Sequence, residues 1–341
     1  MKRPFLLVVA FALLASCSQN EVVECQSVKI SFSANQSNVM RTTVYDNNNL
    51  PEQFKVFAVH NLNGQVDDYF YCTVARVAGT TTYKPTDGDR YWPAAGTVTF
   101  YAHAYAEPAN LDDANVESLD LQFGFENLQT TTGVEQSDFI YAVATDCTQA
   151  TAGGKVQLVF KHALSQIAFQ AVNRNKNINV VINSITFKEL AGKGEFAFPL
   201  VATNDAATAL PCTWSTLTNE LDWLGFDPAL YNEGNTYSVP YKTDGFDPIF
   251  VDNLRMIPQA KTGGKIVLNC SIVSSENTNI VIHEGDYELT CDINWAAGYR
   301  YTYKLVFGAA GTGDTDGIIK PIIFDIEVDD YTDATSEEHN I

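Results

Sequence analysis

Residues 156–173, VQLVFKHALSQIAFQAVN, decide how the rest of the chain is interpreted. Apolar residues occupy alternate positions in two runs, at Val156, Leu158, Phe160, Ile167, Phe169 and Ala171. Alternation with a period of two predicts two half-buried β-strands. Residues 162–165 lie between the runs and predict a turn, because Ser165 can accept a local hydrogen bond. We therefore predict a β-hairpin that opens a second domain, with Gly153 and Gly154 marking the end of the first.

The same alternation recurs in short segments along the whole chain, and turn signals such as Asp87-Gly88 separate them. The predicted strands are 28–33, 54–59, 69–77, 98–105, 138–144, 179–188, 195–200, 237–241, 254–257, 265–273, 279–289, 299–305 and 322–328. Short strands at this spacing, without a long helical pattern, predict an all-β chain of two β-sandwiches. We assign residues 28–152 to the first sandwich and 153–341 to the second. Each sandwich is predicted to have its own core, and the two domains are predicted to meet near residues 147–154. Residues 202–231 are interpreted as a loop.

The composition restricts the classes of partner. The chain has 341 residues, 21 basic and 41 acidic, and a net charge of −20. This charge opposes nucleic acid and anionic membrane surfaces as partners. Seven cysteines occur without a CxxC pair, which disfavours a structural zinc site. The six cysteines after Cys17 are compatible either with disulfides or with buried single thiols.

The N-terminal segment has the pattern of an export signal. Residues 1–16 begin with Lys2 and Arg3 and continue with an apolar run that is too short to span a bilayer. The run ends Leu-Ala-Ser before Cys17, which resembles a bacterial lipobox. This resemblance implies that Cys17 is acylated and becomes the new N-terminus, so the outer membrane is a predicted partner through a lipid anchor. Residues 17–27 are mostly polar and predict a tether.

Catalytic and metal motifs are absent from the sequence. There is no HExxH and no G-x-S-x-G, and the Gly-Gly-Lys runs at 153–155 and 263–265 lack the other residues of a P-loop. Residues 314–317, DTDG, lack the glutamate of an EF-hand and predict a turn. His162 and Ser165 lie close in sequence, but no third partner is evident, so we interpret them as turn residues. We predict no enzyme activity, no cofactor, no metal and no catalytic residue.

Several short motifs occur in an order and at a spacing that resemble the fimbrillin-like family, the lipoprotein pilus subunits of Bacteroides-type bacteria. They are FKHALS at 160–165, RYWP at 90–93 with VTFYA at 98–102, SDFIYA at 137–142, MIPQ at 256–259 and WAAGYRYTY at 295–303. The resemblance covers residues 28–331. It implies two tandem Greek-key, transthyretin-like β-sandwiches, a location at the outer membrane surface within a fimbrium, and other pilus subunits or surface ligands of host or bacteria as partners.

The resemblance also implies assembly by strand exchange. An arginine-specific protease would cut after the first strand, and a strand from another subunit would fill the groove by β-augmentation. Arg41 is the only Arg or Lys between Lys29 and Lys55, so we predict it as the maturation site. The removable strand would carry Val28, Ile30 and Phe32. The predicted donor run has the same alternation, at Ile322, Phe324, Ile326 and Val328.

A glycan-binding surface lipoprotein is the alternative prediction. Trp214 and Trp223 could form an aromatic platform for sugar rings, with Tyr231, Tyr241, Asp222 and Asp227 nearby. This hypothesis requires an exposed loop with coplanar rings. The competing interpretation is that these large aromatic residues fill the edge of a sandwich.

Overall fold

The computed structural model describes residues 28–36, 50–105, 110–111, 122–126, 138–153, 155–204, 212–226, 236–249, 254–308 and 323–330. These residues form nineteen strands and one four-residue helix. The prediction of an all-β chain is therefore confirmed. The helix, α1 (Gln149–Ala152), is capped at its start by Thr148, and Gly153 ends it in the left-handed conformation at φ 56°. Gly153 thus ends a helical turn between β8 and β9.

The first unit is a closed barrel of seven strands, paired in the order β1-β4-β3-β2-β5-β8-β9. The strands are β1 (Ser31–Gln36), β2 (Gln53–Leu62), β3 (Gln65–Arg76), β4 (Thr82–Pro85), β5 (Thr97–Tyr105), β8 (Phe139–Cys147) and β9 (Lys155–His162). The sequence predicted a sandwich of two sheets here. The sheet instead closes on itself, because β1 pairs on one side with β4 and on the other with β9.

The second unit consists of two sheets that face each other. One sheet contains β10 (Ser165–Asn173), β14 (Asp247–Pro248), β15 (Leu254–Met256), β18 (Tyr299–Phe307) and β19 (Ile323–Asp330). The other contains β6 (Asn110–Leu111), β7 (Gln122–Glu126), β11 (Ile178–Ala197), β12 (Thr213–Phe226), β13 (Tyr237–Val239), β16 (Ala260–Ser274) and β17 (Val281–Asn294). Phe187 of the second sheet contacts Phe169 and Tyr303 of the first at ring-centroid distances of 5.5 and 5.6 Å. The two sheets therefore share one core.

The predicted hairpin at 156–173 is wrong, although both of its strands exist. β9 pairs with β1 and β8 in the barrel, whereas β10 pairs with β14, β15 and β18 in the second unit. Among the described residues no pairing joins β9 to β10. Residues 162–165 therefore carry the chain from one unit into the other. Alternation correctly identified the strands, but it carries no information about which strand is the hydrogen-bonding partner.

The predicted domain boundary at residue 153 also fails. β9 lies after this boundary, yet Val156, Leu158 and Phe160 are fully buried in the core of the first barrel. β7 lies before the boundary, yet it pairs with residues 193–197 of β11 in the second unit. The structural boundary follows β9, and the two strands β6 and β7, which lie between β5 and β8 in the sequence, belong to the second unit.

The two units do not have fully separate cores. A third apolar cluster joins them, with members from β2, β5, β8, β11 and the crossing at 162–165. Phe139 of the barrel packs edge-on against Phe196 of the second unit at 4.7 Å. After β11 the chain returns to the barrel, where the Thr203 N–H donates to the carbonyl of Val143 at 2.9 Å. We call this cluster the junction core.

Candidate functional site

The first strand completes the barrel by pairing with one strand on each side. Residues 31–36 pair in parallel with residues 155–160 of β9. On the opposite side, Phe32 and Ser33 pair antiparallel with Tyr83 and Thr82 of β4. The first strand is therefore an inner strand, and its removal would leave two strand edges facing each other across a groove.

The segment RYWP holds the residues just before β1. The Ile30 N–H donates to the carbonyl of Arg90 at 2.7 Å, and the Trp92 N–H donates to the carbonyl of Val28 at 3.1 Å. Outside the barrel, Lys29 forms an ion pair with Asp89 at 2.6 Å, and this hydrogen bond raises the pKa of Lys29. Both groups are largely exposed, so the ion pair orients the strand more than it stabilises it.

The alternate residues of the first strand point into the barrel. Phe32 and Ala34 have no exposed surface, Ile30 is 2% exposed, and Val28 packs partly buried against the same cluster. The Phe32 ring meets Phe100 edge-on at 5.4 Å. The alternation predicted from the sequence thus corresponds to real burial. Ala34 extends the apolar face by one position that the sequence interpretation did not include.

Three of the motifs that occur late in the chain meet at the junction core. The Ser165 hydroxyl of FKHALS donates to the carbonyl of Ala296, and the Gly298 N–H donates to the carbonyl of Leu164, at 2.9 and 3.0 Å. The buried side chain of Gln259, from MIPQ, exchanges two hydrogen bonds with the backbone of Ala191 at 2.9 and 3.2 Å. These motifs therefore specify how the two units join.

A buried histidine–aspartate pair lies beside this crossing. His162 Nδ1 lies 3.1 Å from Asp138 Oδ1, and both side chains are at most 3% exposed. Sequence reasoning missed this pair, because it compared His162 with its near neighbour Ser165. The antiparallel pairing of β8 and β9 sets Ile140 opposite His162 and so brings Asp138 close. Ser165 begins β10 and donates to the carbonyl of Ala296, so His162 and Ser165 do not form a turn pair with each other.

The described cysteines are free thiols on or beside strands: Cys72, Cys147, Cys212, Cys270 and Cys291. This confirms the single-thiol alternative for these five. Burial raises the pKa of the Cys212 thiol to about 12 and that of each of the other four to about 11. Thiols with such pKa values are protonated at neutral pH and react slowly.

The predicted aromatic platform is not an exposed loop. Residues 213–226 form β12, which pairs with β11. The Trp214 ring packs partly buried against the junction core, and its Nε1 donates to the carbonyl of Ala163 at 2.9 Å. The exposed Asp222 accepts from Lys188 Nζ at 2.8 Å, and this hydrogen bond lowers its pKa. Asp227, Tyr231 and the Trp223 side chain lie outside the described residues, so the structure describes no pair of coplanar rings here.

The predicted donor run belongs to the second unit. β19 pairs antiparallel with β18 over all eight of its residues, from Ile323 opposite Val306 to Asp330 opposite Tyr299. It is the last strand in its sheet order. Phe324, Ile326 and Val328 lie on this strand, whereas Ile322 lies outside the described residues.

Other predicted features fall outside the part of the chain that the structure describes. Cys17, Arg41 and residues 314–317 belong to this group. Within the described ranges, no group of three or more His, Cys, Asp or Glu residues could hold a metal ion. No helix among the same residues is long and apolar enough to cross a membrane.

A comparison with protein-family models matches residues 41–323 to a family described as fimbrillin-like. A fimbrial protein from Bacteroides vulgatus has a similar structure, with a TM-score of 0.61 and 16% identity, covering 89% of this chain and 99% of its own. A candidate cell adhesion protein from Bacteroides uniformis has a TM-score of 0.48 and 15% sequence identity, and the match covers 89% of this chain and 99% of that protein. Another candidate cell adhesion protein, from Parabacteroides distasonis, has a TM-score of 0.49 and 12% sequence identity, and the match covers 91% of this chain and 99% of that protein. No curated protein sequence matches the chain.

Proposed function

Because the chain belongs to the fimbrillin-like family, we propose that it is a structural or adhesive subunit of a surface pilus and not an enzyme. Its partners are other pilus subunits, and its location is the cell surface. The single observation that supports assembly by strand exchange is the position of the first strand. This strand is paired on both sides and closes the barrel, so the barrel is complete only while a strand occupies that place.

The energetics favour replacement of the strand over simple loss. The side chains of Ile30 and Phe32 are buried, and burial of each contributes about 1.5–3 kcal/mol. Loss of the strand would also leave backbone groups of β4 and β9 without partners. An open groove of this kind attracts any extended chain. A second strand with alternating apolar residues would restore both the burial and the ladder, which is β-augmentation.

Maturation at Arg41 would create the groove. Arg41 follows the first strand in the sequence and is the only basic residue between Lys29 and Lys55. Cleavage there would sever the strand from the rest of the barrel. Before cleavage, acylation of Cys17 would hold the precursor at the outer membrane, with residues 17–27 as a tether.

The donor strand is the run that includes Phe324, Ile326 and Val328. Donation would require β19 to leave β18, which is feasible for a strand at the end of its sheet order. Departure would uncover one edge of β18. A subunit that keeps β19 in place would accept a strand without donating one.

The test is the assembly of variants at residue 41. Arg41→Ala and Arg41→Lys should both remain folded and lipidated monomers, because an arginine-specific protease cuts neither. Thr42→Ala keeps the arginine and should assemble as wild type does. Mass spectrometry of the N-terminus of assembled protein would report removal of residues up to 41. Assembly of Arg41→Ala at the wild-type level would refute both the site and the role of the strand.

The lipid anchor is tested separately. Cys17→Ala should partition into the aqueous phase of a detergent extraction, whereas wild type should enter the detergent phase. Equal partitioning of the two proteins would show that Cys17 is not the anchor.

A further inference from the structure

Trp92 carries a buried hydrogen-bond donor without a partner. Its Nε1 has no acceptor, although the residue is only 7% exposed. The other two tryptophan side chains that the structure describes are paired: Trp214 Nε1 donates to the carbonyl of Ala163, and Trp295 Nε1 donates to the hydroxyl of Tyr303, both at 2.9 Å. A buried unpaired N–H destabilises the state in which it occurs.

The unpaired indole belongs to the wall that holds the first strand. Lys29 and Tyr91 are directly opposite each other in an antiparallel bridge. Val28 therefore lies opposite Trp92, and the Trp92 backbone N–H donates to the Val28 carbonyl. Side chains at opposite positions of an antiparallel pair have Cβ atoms about 4.5–5.5 Å apart. Val28 and Trp92 also contact the same core cluster, so both side chains lie on the inner face.

The resident strand cannot satisfy this donor. Its inward side chains are Val28, Ile30, Phe32 and Ala34, and none of them has an acceptor atom. A threonine, serine or asparagine at the position of Val28 would bring an acceptor oxygen to the residue directly opposite Trp92 in this pairing. The resident strand thus fits the groove in shape but not in its hydrogen bonding.

We propose that the groove selects an incoming strand with a hydroxyl or amide acceptor opposite Trp92. The groove then binds the chain's own first strand with lower affinity than it binds such a strand. This inference rests on the proposed function, since it assumes that the strand is exchanged. The alternate positions of the predicted donor run, 322–328, are all apolar. With residues 322–328 in the groove, a second copy of this chain would place an apolar side chain opposite Trp92, so the occupant that we infer is a strand from a different subunit.

The first test uses the intact chain and a double-mutant cycle. Val28→Thr changes little volume and adds an acceptor. We compare the effect of Val28→Thr on the equilibrium constant for folding in two proteins, one with Trp92 and one with Trp92→Phe, which lacks the donor. The increase should be about tenfold larger in the protein that keeps Trp92. The tenfold difference corresponds to about 1.4 kcal/mol of coupling. Ile30→Thr in the Trp92 background is the matched control and should lower stability, because the hydroxyl is buried without that partner. Equal effects of Val28→Thr in both backgrounds would overturn the inference.

The second test measures the exchange itself. Full-length protein cut after residue 41 is mixed with labelled peptides of sequence 27–37, either native or with Val28→Thr, and fluorescence polarisation reports binding. The Val28→Thr peptide should bind about tenfold more tightly than the native peptide and than a peptide of residues 320–330. If strands exchange but all peptides bind equally, the selection by Trp92 is wrong while the proposed function stands. Tight binding of 320–330 would identify a second copy as the occupant and overturn the choice of partner. If no strand leaves, the proposed function fails, and the cycle in the intact chain alone decides whether Trp92 prefers an acceptor.

Discussion

Phe32→Ala is the most direct perturbation of the first strand. The ring has no exposed surface and packs edge-on against Phe100 at 5.4 Å, in the centre of the barrel core. Truncation of a buried phenylalanine to alanine costs about 3–5 kcal/mol, because the side chain loses its contacts and leaves a cavity. The free energy of unfolding of a domain is only about 5–15 kcal/mol, so this loss is a large part of it.

Urea denaturation of the intact chain, followed by circular dichroism and tryptophan fluorescence, measures the effect. With a slope of about 2 kcal/mol/M, the unfolding midpoint of the barrel should fall by about 1.5–2.5 M. Hydrogen exchange should accelerate in β9, which pairs with β1, while the amides of β16 should exchange as in wild type. Ser33 lies on the opposite face of the same strand, so Ser33→Ala should change the free energy of unfolding by less than about 1 kcal/mol.

A loss below about 1 kcal/mol for Phe32→Ala, with unchanged exchange in β9, would refute the reasoning. It would mean that the first strand is dispensable for the barrel. The groove would then have no need of a replacement strand.

Three further predictions concern the rest of the molecule. Gln259→Ala should destabilise the chain by about 1–3 kcal/mol in thermal unfolding, because it leaves the N–H and carbonyl of Ala191 buried and unpaired. Cys212 should resist alkylation at pH 8 in the folded protein and react after denaturation, as peptide mass spectrometry would show, since a pKa of about 12 keeps the thiol protonated until the pH rises towards that value. A chain of residues 155–341 should elute as aggregates in size-exclusion chromatography, because β9 loses both of its partner strands, whereas a chain of 164–341 lacks that exposed strand and should aggregate less.

Each of these expectations has a contrary result. Wild-type stability of Gln259→Ala would show that water or a rearranged backbone satisfies Ala191. Rapid alkylation of Cys212 in the native state would show that the junction core opens. A monomeric, cooperatively unfolding 155–341 would show that β9 without its partner strands does not cause aggregation.

The sequence predicted the strands of the fold much better than their partners. Alternation at Val156, Leu158 and Phe160 correctly identified an amphipathic strand, because side-chain direction in a strand is a local property. The pairing of that strand with residues 31–36 joins segments more than a hundred residues apart. No local pattern encodes such a contact, so the prediction that pairs β9 with the adjacent strand β10 is wrong.

Strand β12, the pair of Asp138 and His162, and the unpaired nitrogen of Trp92 were not predicted, because none of them leaves a local pattern in the sequence. Residues 213–226 carry polar side chains on both faces and therefore show no clear period, although they form β12 against β11. Asp138 and His162 are 24 positions apart and meet only through the register of two strands. The unpaired nitrogen of Trp92 could not be predicted at all, since it depends on which atoms surround a buried ring. Burial of Ile30 and Phe32, by contrast, followed directly from their spacing.

The junction core determines how the molecule responds to mechanical load. The connection between β9 and β10 consists of only two residues, Ala163 and Leu164, and both are fully buried. A connection this short and this well packed cannot act as a flexible hinge. Two further elements tie the units together: β7, which follows the barrel strand β5 in the sequence, pairs with β11, and Thr203 after β11 donates to Val143 of the barrel. A pull on one unit is therefore distributed over several parallel connections before it reaches the other. In a filament of such subunits, bending would occur between neighbouring molecules, while each molecule would act as a stiff strut.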